Sequence, residues 1–110
     1  MAGEHGPFFS EREALSTRAA REAIAAFDAD PGPGKAAPGH LRILLAACEA
    51  SGVDVADFDR GGLEWLATWE LARCVSFAGL IRRAHEAGRA KTAGRGERHE
   101  GSRRDTARRG

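Results

Sequence analysis

Aromatic residues are scarce in this chain of 110 residues, which has no tyrosine, two tryptophans and five phenylalanines. Valine and isoleucine are also few, and no stretch alternates apolar and polar residues with the period of two that marks a half-buried strand. This pattern excludes a β-rich fold. About half of the hydrophobic residues are alanine, which favours helix but buries little surface. We therefore expect an all-α domain with a thin core.

The sequence also lacks a long apolar run. No uncharged stretch approaches the roughly 18 residues that a membrane helix needs. The N-terminal residues do not show the basic segment and following apolar segment of a secretory signal. We therefore expect a cytoplasmic protein with no membrane partner, in which Cys48 and Cys74 are reduced thiols rather than a disulfide.

Residues that bind metals or attack substrates are not grouped along the chain. It has no Cys-x-x-Cys or His-Glu-x-x-His motif, no Walker loop and no dinucleotide-binding fingerprint. Cys74 and His85 share a helical face, but about 16 Å of helix separates them. We predict no catalytic residue, no metal site and no cofactor, and favour structural thiols and a surface histidine. The side chains weighed for a metal site are Cys48, Cys74, His5, His40, His85 and His99.

Local signals predict a small bundle of three to four helices. Ser10 and Glu13 form a capping box that begins the first helix. Gly52 is placed to end the second helix in a left-handed cap, and Gly88 to end the last one. Gly79 lies in the middle of the last helix, which predicts the close approach of a neighbouring helix. The predicted helices cover about residues 10–28, 38–50, 60–70 and 71–87, with a Pro- and Gly-rich linker over about 29–39.

The third predicted helix follows Asp59, which is a good N-cap. Phe58 precedes this cap and is expected to pack on Leu63, the hydrophobic staple arrangement. Gly61 and Gly62 then weaken the first turn by up to about 1 kcal/mol each relative to alanine.

Charge is distributed unevenly between the two ends of the chain. Residues 1–81 carry 7 basic and 12 acidic side chains, a net −5, whereas residues 82–110 carry 10 basic and 4 acidic ones, a net +6. After Gly88 there is no large apolar residue, so this segment cannot offset the entropy of ordering. The predicted organisation is a flexible N-terminus over 1–9, a helical domain over 10–88 and a disordered basic tail over 89–110.

Both tryptophans lie within residues 63–70, LEWLATWE. On a helical wheel Trp65 and Trp69 are about 40° apart. The other side carries Leu63, Leu66, Ala67 and Leu71, a group centred well over 100° away. The helix thus has two apolar faces and needs something to pack against on each. Glu64 and Glu70 would repel a phosphate, which argues against stacking on nucleic-acid bases. We favour packing of the tryptophans against the first and last helices, and keep binding of a partner protein as the alternative.

The basic end of the chain is the second candidate site. Arginine and lysine attract phosphates independently of sequence, whereas Glu97, Glu100 and Asp105 dilute the positive charge. A solubilising tail and a nucleic-acid-binding tail therefore both stay open. The candidate nucleic-acid-binding residues are Arg82, Arg83, Arg89, Lys91, Arg95, Arg103, Arg104, Arg108 and Arg109.

Several short motifs lie between residues 40 and 88. They are FDR at 58–60, LEWLA at 63–67, WE at 69–70, CV at 74–75 and AGLIRRAHEAG at 78–88. In these motifs the chain resembles a group of small uncharacterised helical proteins of high-GC bacteria and their mobile elements. The resemblance implies a helical fold and no particular chemistry. It also implies a proline after Glu70 that would start the last helix, but this chain has Leu71 there. The third and fourth predicted helices could therefore be separated at Glu70 or run together as one helix, and both alternatives stay open.

A core this thin rarely stabilises a domain of this size comfortably. We therefore expect self-association or docking onto a protein partner. The favoured function is a non-enzymatic cytosolic interaction module, with an accessory or regulatory role. The alternative is a nucleic-acid-associated protein that binds phosphate through its basic tail.

Overall fold

The computed structural model describes residues 3–95, which form helices and no strand. The all-α prediction is confirmed, with one helix more than the three to four expected. The predicted disorder of residues 96–110 lies outside the described residues. The helices are α1 (Glu11–Leu15), α2 (Arg18–Ala29), α3 (Ala37–Ala50), α4 (Asp57–Leu66) and α5 (Leu71–Arg95).

The first predicted helix is in fact two helices. Ser10 caps α1 as predicted, because its Oγ accepts a hydrogen bond from the Glu13 amide at 3.2 Å. Thr17, which is buried, then ends α1 and begins α2. Its Oγ1 donates to the Ala14 carbonyl at 3.0 Å and accepts from the Ala20 amide at 3.2 Å. One threonine side chain thus satisfies backbone groups at two helix ends, where a continuous helix was expected.

The end of α3 follows its prediction. Gly52 has a φ of 71°, in the left-handed region, and its amide donates to the Glu49 carbonyl at 3.1 Å. The Val53 amide then donates to the Cys48 carbonyl at 2.9 Å. These bonds satisfy carbonyls that have no partner within their own helix, so the chain can turn sharply towards α4.

Helix α5 is the centre of the domain. It packs along α3, and it also contacts α1 and α2. Two apolar clusters meet on it at consecutive residues. One cluster joins Cys74 to Leu44 and Ala67, and the other joins Val75 to Ala14 and Ala20. Alanine supplies most of the buried hydrophobic side chains, so the core is as thin as the composition predicted.

The corner between α4 and α5 shows that these are separate helices. The Glu70 carbonyl starts α5 by accepting from the Arg73 amide at 3.0 Å. At the end of α4, His40 Nδ1 donates to the Ala67 carbonyl at 3.0 Å, and Cys74 Sγ donates to the Leu66 carbonyl at 3.4 Å. His40 is buried, and this hydrogen bond gives its ring a partner there.

The N-terminal segment, residues 3–9, lies across α5, although the sequence predicts it to be flexible. Its backbone passes so close to Gly79 that a Cβ there would be 2.6 Å from the His5 carbonyl oxygen. Arg83 Nε donates to the same oxygen at 2.8 Å. The close approach predicted at Gly79 is therefore present, but a non-helical segment makes it rather than a helix.

Glu4 fixes the same segment to the start of α2. Its two carboxylate oxygens accept from the backbone amides of Arg18 at 3.0 Å and Ala19 at 3.1 Å. Partial burial would raise the pKa of the Glu4 carboxyl, but these two amide hydrogen bonds lower it below its ordinary value. Glu4 is thus held as an anion at the positive end of the α2 dipole.

Helix α5 continues beyond its predicted end. Gly88 does not have a positive φ, and the helix extends to Arg95. Glu86 and Arg89 form an ion pair at 3.5 Å across this point. The residues that follow include alanine, arginine and lysine, which are good helix formers. The predictions that the helix ends at Gly88 and that a disordered tail starts at Arg89 are therefore wrong.

Candidate partner-binding face

Helix α4 has the two apolar faces that its sequence predicts, and one of them is packed. Leu63 and Leu66 are half-buried and Ala67 is buried, all three in contact with the cluster around Leu44 and Cys74. This inner face fixes α4 against α3 and the first turns of α5. Because this side is packed on the core, the opposite side of α4 points away from the core.

Opposite this inner face, α4 and the turn that follows it carry three exposed aromatic side chains, Phe58 and Trp65 in the helix and Trp69 in the turn, which we call the aromatic face. Their exposed fractions are 94%, 60% and 50%, respectively. The two tryptophan rings contact each other edge to face, with centroids 5.6 Å apart and planes at 73°. Aromatic pairs favour this geometry. The tryptophans therefore do not pack against the first and last helices, and the favoured interpretation of the sequence is wrong.

Phe58 joins this face because α4 begins earlier than predicted. The helix starts at Asp57, and the Asp59 carboxylate accepts from the Ala56 amide at 3.2 Å. Phe58 thus belongs to the first helical turn instead of preceding it, and the expected staple with Leu63 does not form. The spacing of seven residues between Phe58 and Trp65 could have revealed the shared face, since residues seven apart lie two helical turns apart on the same side.

Two glycines lie between the aromatic rings of α4. Gly62 is four residues after Phe58 and three before Trp65, so all three lie on one side of the helix. A Cβ at Gly61 or at Gly62 would have no neighbouring atom within 4 Å. The folded chain therefore does not need glycine at either position. Glycine leaves a shallow surface between Phe58 and the tryptophans, at a cost of up to about 1 kcal/mol per residue in helix stability.

The surroundings of the aromatic face are acidic. Residues 54–70 contain five acidic side chains and one basic one, a net −4. The basic residue, Arg60, is already paired with Glu64 at 3.2 Å. A surface of this charge repels phosphates and attracts cationic protein surfaces. The acidic side chains, all of residues exposed in the structure, are Asp54, Asp57, Asp59, Glu64 and Glu70.

The basic residues predicted to bind nucleic acid are scattered around α5. Arg82 and Arg89 lie on the same side, seven residues apart, whereas Lys91 lies about 180° from Arg82. Arg83 is engaged with the His5 carbonyl, and Arg95 is the last residue of the helix. The helix therefore does not gather them into one patch. The remaining candidates, Arg103, Arg104, Arg108 and Arg109, lie outside the described residues.

The cysteines and the metal-binding side chains of the described residues are not gathered into a site. Cys48 and Cys74 are buried and unpaired, and burial raises the pKa of the Cys74 thiol to about 11. Within residues 3–95 no three side chains of the metal-binding types lie in one group. No helix in this part of the chain is long and apolar enough to cross a membrane. His99 lies outside this range.

Comparison of the chain with protein-family models, with curated proteins and with solved structures finds no match. The resemblance of residues 40–88 to small helical proteins of high-GC bacteria therefore stays a prediction. The aromatic face is the feature from which a function can be inferred.

Proposed function

We propose that this chain is a non-enzymatic, cytoplasmic interaction module that binds a protein partner through the aromatic face of α4. The observation that carries the proposal is the exposure of Phe58, Trp65 and Trp69 on one side of α4 and its following turn, while the other side of the helix is packed. Tryptophan and other aromatic side chains dominate the energetics of protein interfaces. The small side chains of the alanine-rich core bury too little apolar surface to offset the free-energy cost of leaving these aromatic side chains in water.

The acidic surroundings narrow the class of partner. The net −4 over residues 54–70 favours a partner surface that is apolar at its centre and basic around it. This chain itself carries a net +6 over residues 82–110. A second copy is therefore the first partner to test. If α4 of each copy faces the basic end of α5 of the other, the pair closes with two-fold symmetry.

The two tryptophans provide a probe for this association, because the chain has no others and both belong to the aromatic face. We expect the molecular mass from light scattering to rise towards that of a dimer as concentration increases. Tryptophan emission should shift to shorter wavelength over the same range, because the rings leave water. A monomeric mass with unchanged emission at all concentrations would contradict self-association.

A matched pair of variants tests whether the aromatic face is responsible. Phe58→Ser removes an exposed ring and keeps both tryptophans as probes, whereas Ile24→Ser removes an exposed apolar side chain from α2, outside the proposed contact. We expect Phe58→Ser to weaken association about 10-fold or more, the effect of losing an interface anchor. Ile24→Ser should leave it unchanged. Equal effects of the two variants would indicate non-specific apolar contact.

The second candidate function is nucleic-acid binding through the basic C-terminal residues. The net +6 over residues 82–110 supports it, and its scattered arrangement on α5 favours backbone contact without sequence reading. Binding should then weaken steeply with salt, and it should also weaken when residues 96–110 are removed, a truncation that retains α5 and takes away five of the ten basic side chains. The absence of DNA or RNA binding at low salt would end this alternative.

A further inference from the structure

A cleft of about 210 Å³ lies on the side of the domain formed by α2, α3, α5 and the N-terminal segment. None of the three residues of the aromatic face lines it. Its apolar lining includes Ala23 of α2, Ile43 of α3, and Val75 and Ala78 of α5. The cleft is smaller than the roughly 300–1,000 Å³ of sites that hold drug-sized ligands, so its volume suits a small molecule.

Two arginines line the same cleft, Arg42 from α3 and Arg82 from α5. Neither forms an ion pair with a carboxylate of the described residues. Arg82 is half-buried, whereas Arg42 is exposed. Unpaired guanidinium groups beside an apolar lining form the kind of site that binds a carboxylate in two-point geometry.

Two acidic residues also line the cleft, and both have other partners. Both oxygens of the Glu4 carboxylate accept backbone hydrogen bonds at the start of α2. Glu22 Oε2 lies 4.0 Å from the Nε of Arg18, and Arg18 is not among the residues that line the cleft. Neither carboxylate pairs with Arg42 or Arg82, so both guanidinium groups keep their donors for a ligand.

We infer that this cleft binds a small monocarboxylate with a short branched aliphatic body. The carboxylate would be held by Arg42 and Arg82, and the aliphatic part would cover Ile43, Val75 and Ala78. Such a ligand matches the cleft in charge, size and polarity. This inference does not depend on the proposed function, since it involves different residues and a different kind of partner.

The test is a titration of the full chain with isovalerate and with its neutral counterpart isovaleramide, followed by the methyl resonances of Ile43 and Val75. We expect saturable shifts with the carboxylate at millimolar concentration and at least about 10-fold weaker binding of the amide, because the amide lacks the charge that the arginines hold. The absence of saturable shifts with isovalerate would overturn the inference, and so would equal binding of the two compounds.

Variants assign the binding to the two arginines. Arg42→Gln and Arg82→Gln should each weaken isovalerate binding about 10-fold or more. Arg73→Gln, a matched change on α5 outside the cleft, should leave it unchanged. Thermal unfolding of each variant confirms that it is folded. If all three variants bind isovalerate as the unchanged chain does, the inference is overturned.

Discussion

Helices α4 and α5 differ in how many neighbouring elements cover them. Helix α5 packs along α3, while α1, α2 and the N-terminal segment cover further sides. Two of its apolar side chains, Phe77 and Leu80, nevertheless stay 41% and 49% exposed. Helix α4 packs through Leu63, Leu66 and Ala67 alone, and its aromatic face remains open. One helix is thus the centre of the fold, and the other is attached to it through a single side.

The difference lies in the elements that surround each helix. Helix α5 lies where three other helices and the N-terminal segment converge. Helix α4 packs against α3, and none of the remaining described elements packs on its outer face. The open face of α4 is therefore a candidate interface, whereas the packed sides of α5 build the fold.

The largest expected effect tests the packed side of this comparison. Leu44 is fully buried between α4 and α5, so Leu44→Ala should lower the free energy of unfolding by about 2–5 kcal/mol through lost burial and a cavity. Leu80→Ala makes the same change on α5 at a side chain that is 49% exposed, and should cost well under half as much. Urea denaturation measures both. Equal losses would show that burial at α5 does not stabilise the fold as described.

Gly79 tests whether the N-terminal segment truly covers α5. A Cβ there would meet the His5 carbonyl oxygen at 2.6 Å, so Gly79→Ala should destabilise the protein by about 1–3 kcal/mol. Gly88→Ala on the same helix meets nothing within 4 Å and should stabilise it by up to about 1 kcal/mol. Thermal unfolding compares the two. If both variants are stabilised, the segment does not lie against Gly79.

Gly62 tests the open side in the same way. Gly62→Ala should stabilise the isolated chain by up to about 1 kcal/mol, because its Cβ is free of contacts and alanine favours helix. It should also weaken the association proposed for the aromatic face, since a methyl group would stand between Phe58 and Trp65. Urea denaturation measures the first effect and light scattering the second. Unchanged association would place the partner away from this surface.

Local backbone chemistry was predictable from the sequence. The cap at Ser10 and the left-handed cap at Gly52 formed as expected, because each depends on residues within one helical turn. Thr17 could not be assigned its role, since its hydroxyl acts on two helix ends only once α1 and α2 diverge. His40 likewise owes its burial to the Ala67 carbonyl, which is 27 residues away.

The candidate site was predictable in part. The helical wheel correctly separated Trp65 and Trp69 from the leucines of α4, because this depends only on helix geometry. Which of the two faces would be covered depends on where the other helices pack, and no local pattern encodes that. Phe58 was assigned to the wrong face because a shift of the helix start by a few residues rotates the first turn.

The smallest expected effect concerns the hydrogen bonds that hold the N-terminal segment over α5. Glu4→Gln removes the negative charge at the start of α2 and should lower the free energy of unfolding at neutral pH by less than about 1 kcal/mol, since the side chain is largely in water. The folded-state pKa of Glu4 is lower than its ordinary value of 4.5. Its stabilising contribution is therefore complete above pH 4.5 and is lost as the pH falls through the folded-state pKa.

Urea denaturation of the unchanged chain and of Glu4→Gln, at neutral pH and well below the ordinary glutamate pKa of 4.5, measures this contribution. The difference between the two proteins should be present at neutral pH and vanish in acid. Glu49→Gln is the matched control, because Glu49 is exposed near the end of α3, where a negative charge gains nothing from the helix dipole. If Glu49→Gln lowers the free energy of unfolding at neutral pH as much as Glu4→Gln does, the Glu4 carboxylate does not hold the N-terminal segment. The position of this segment over α5 would then depend on its contact with Gly79 and on the hydrogen bond from Arg83.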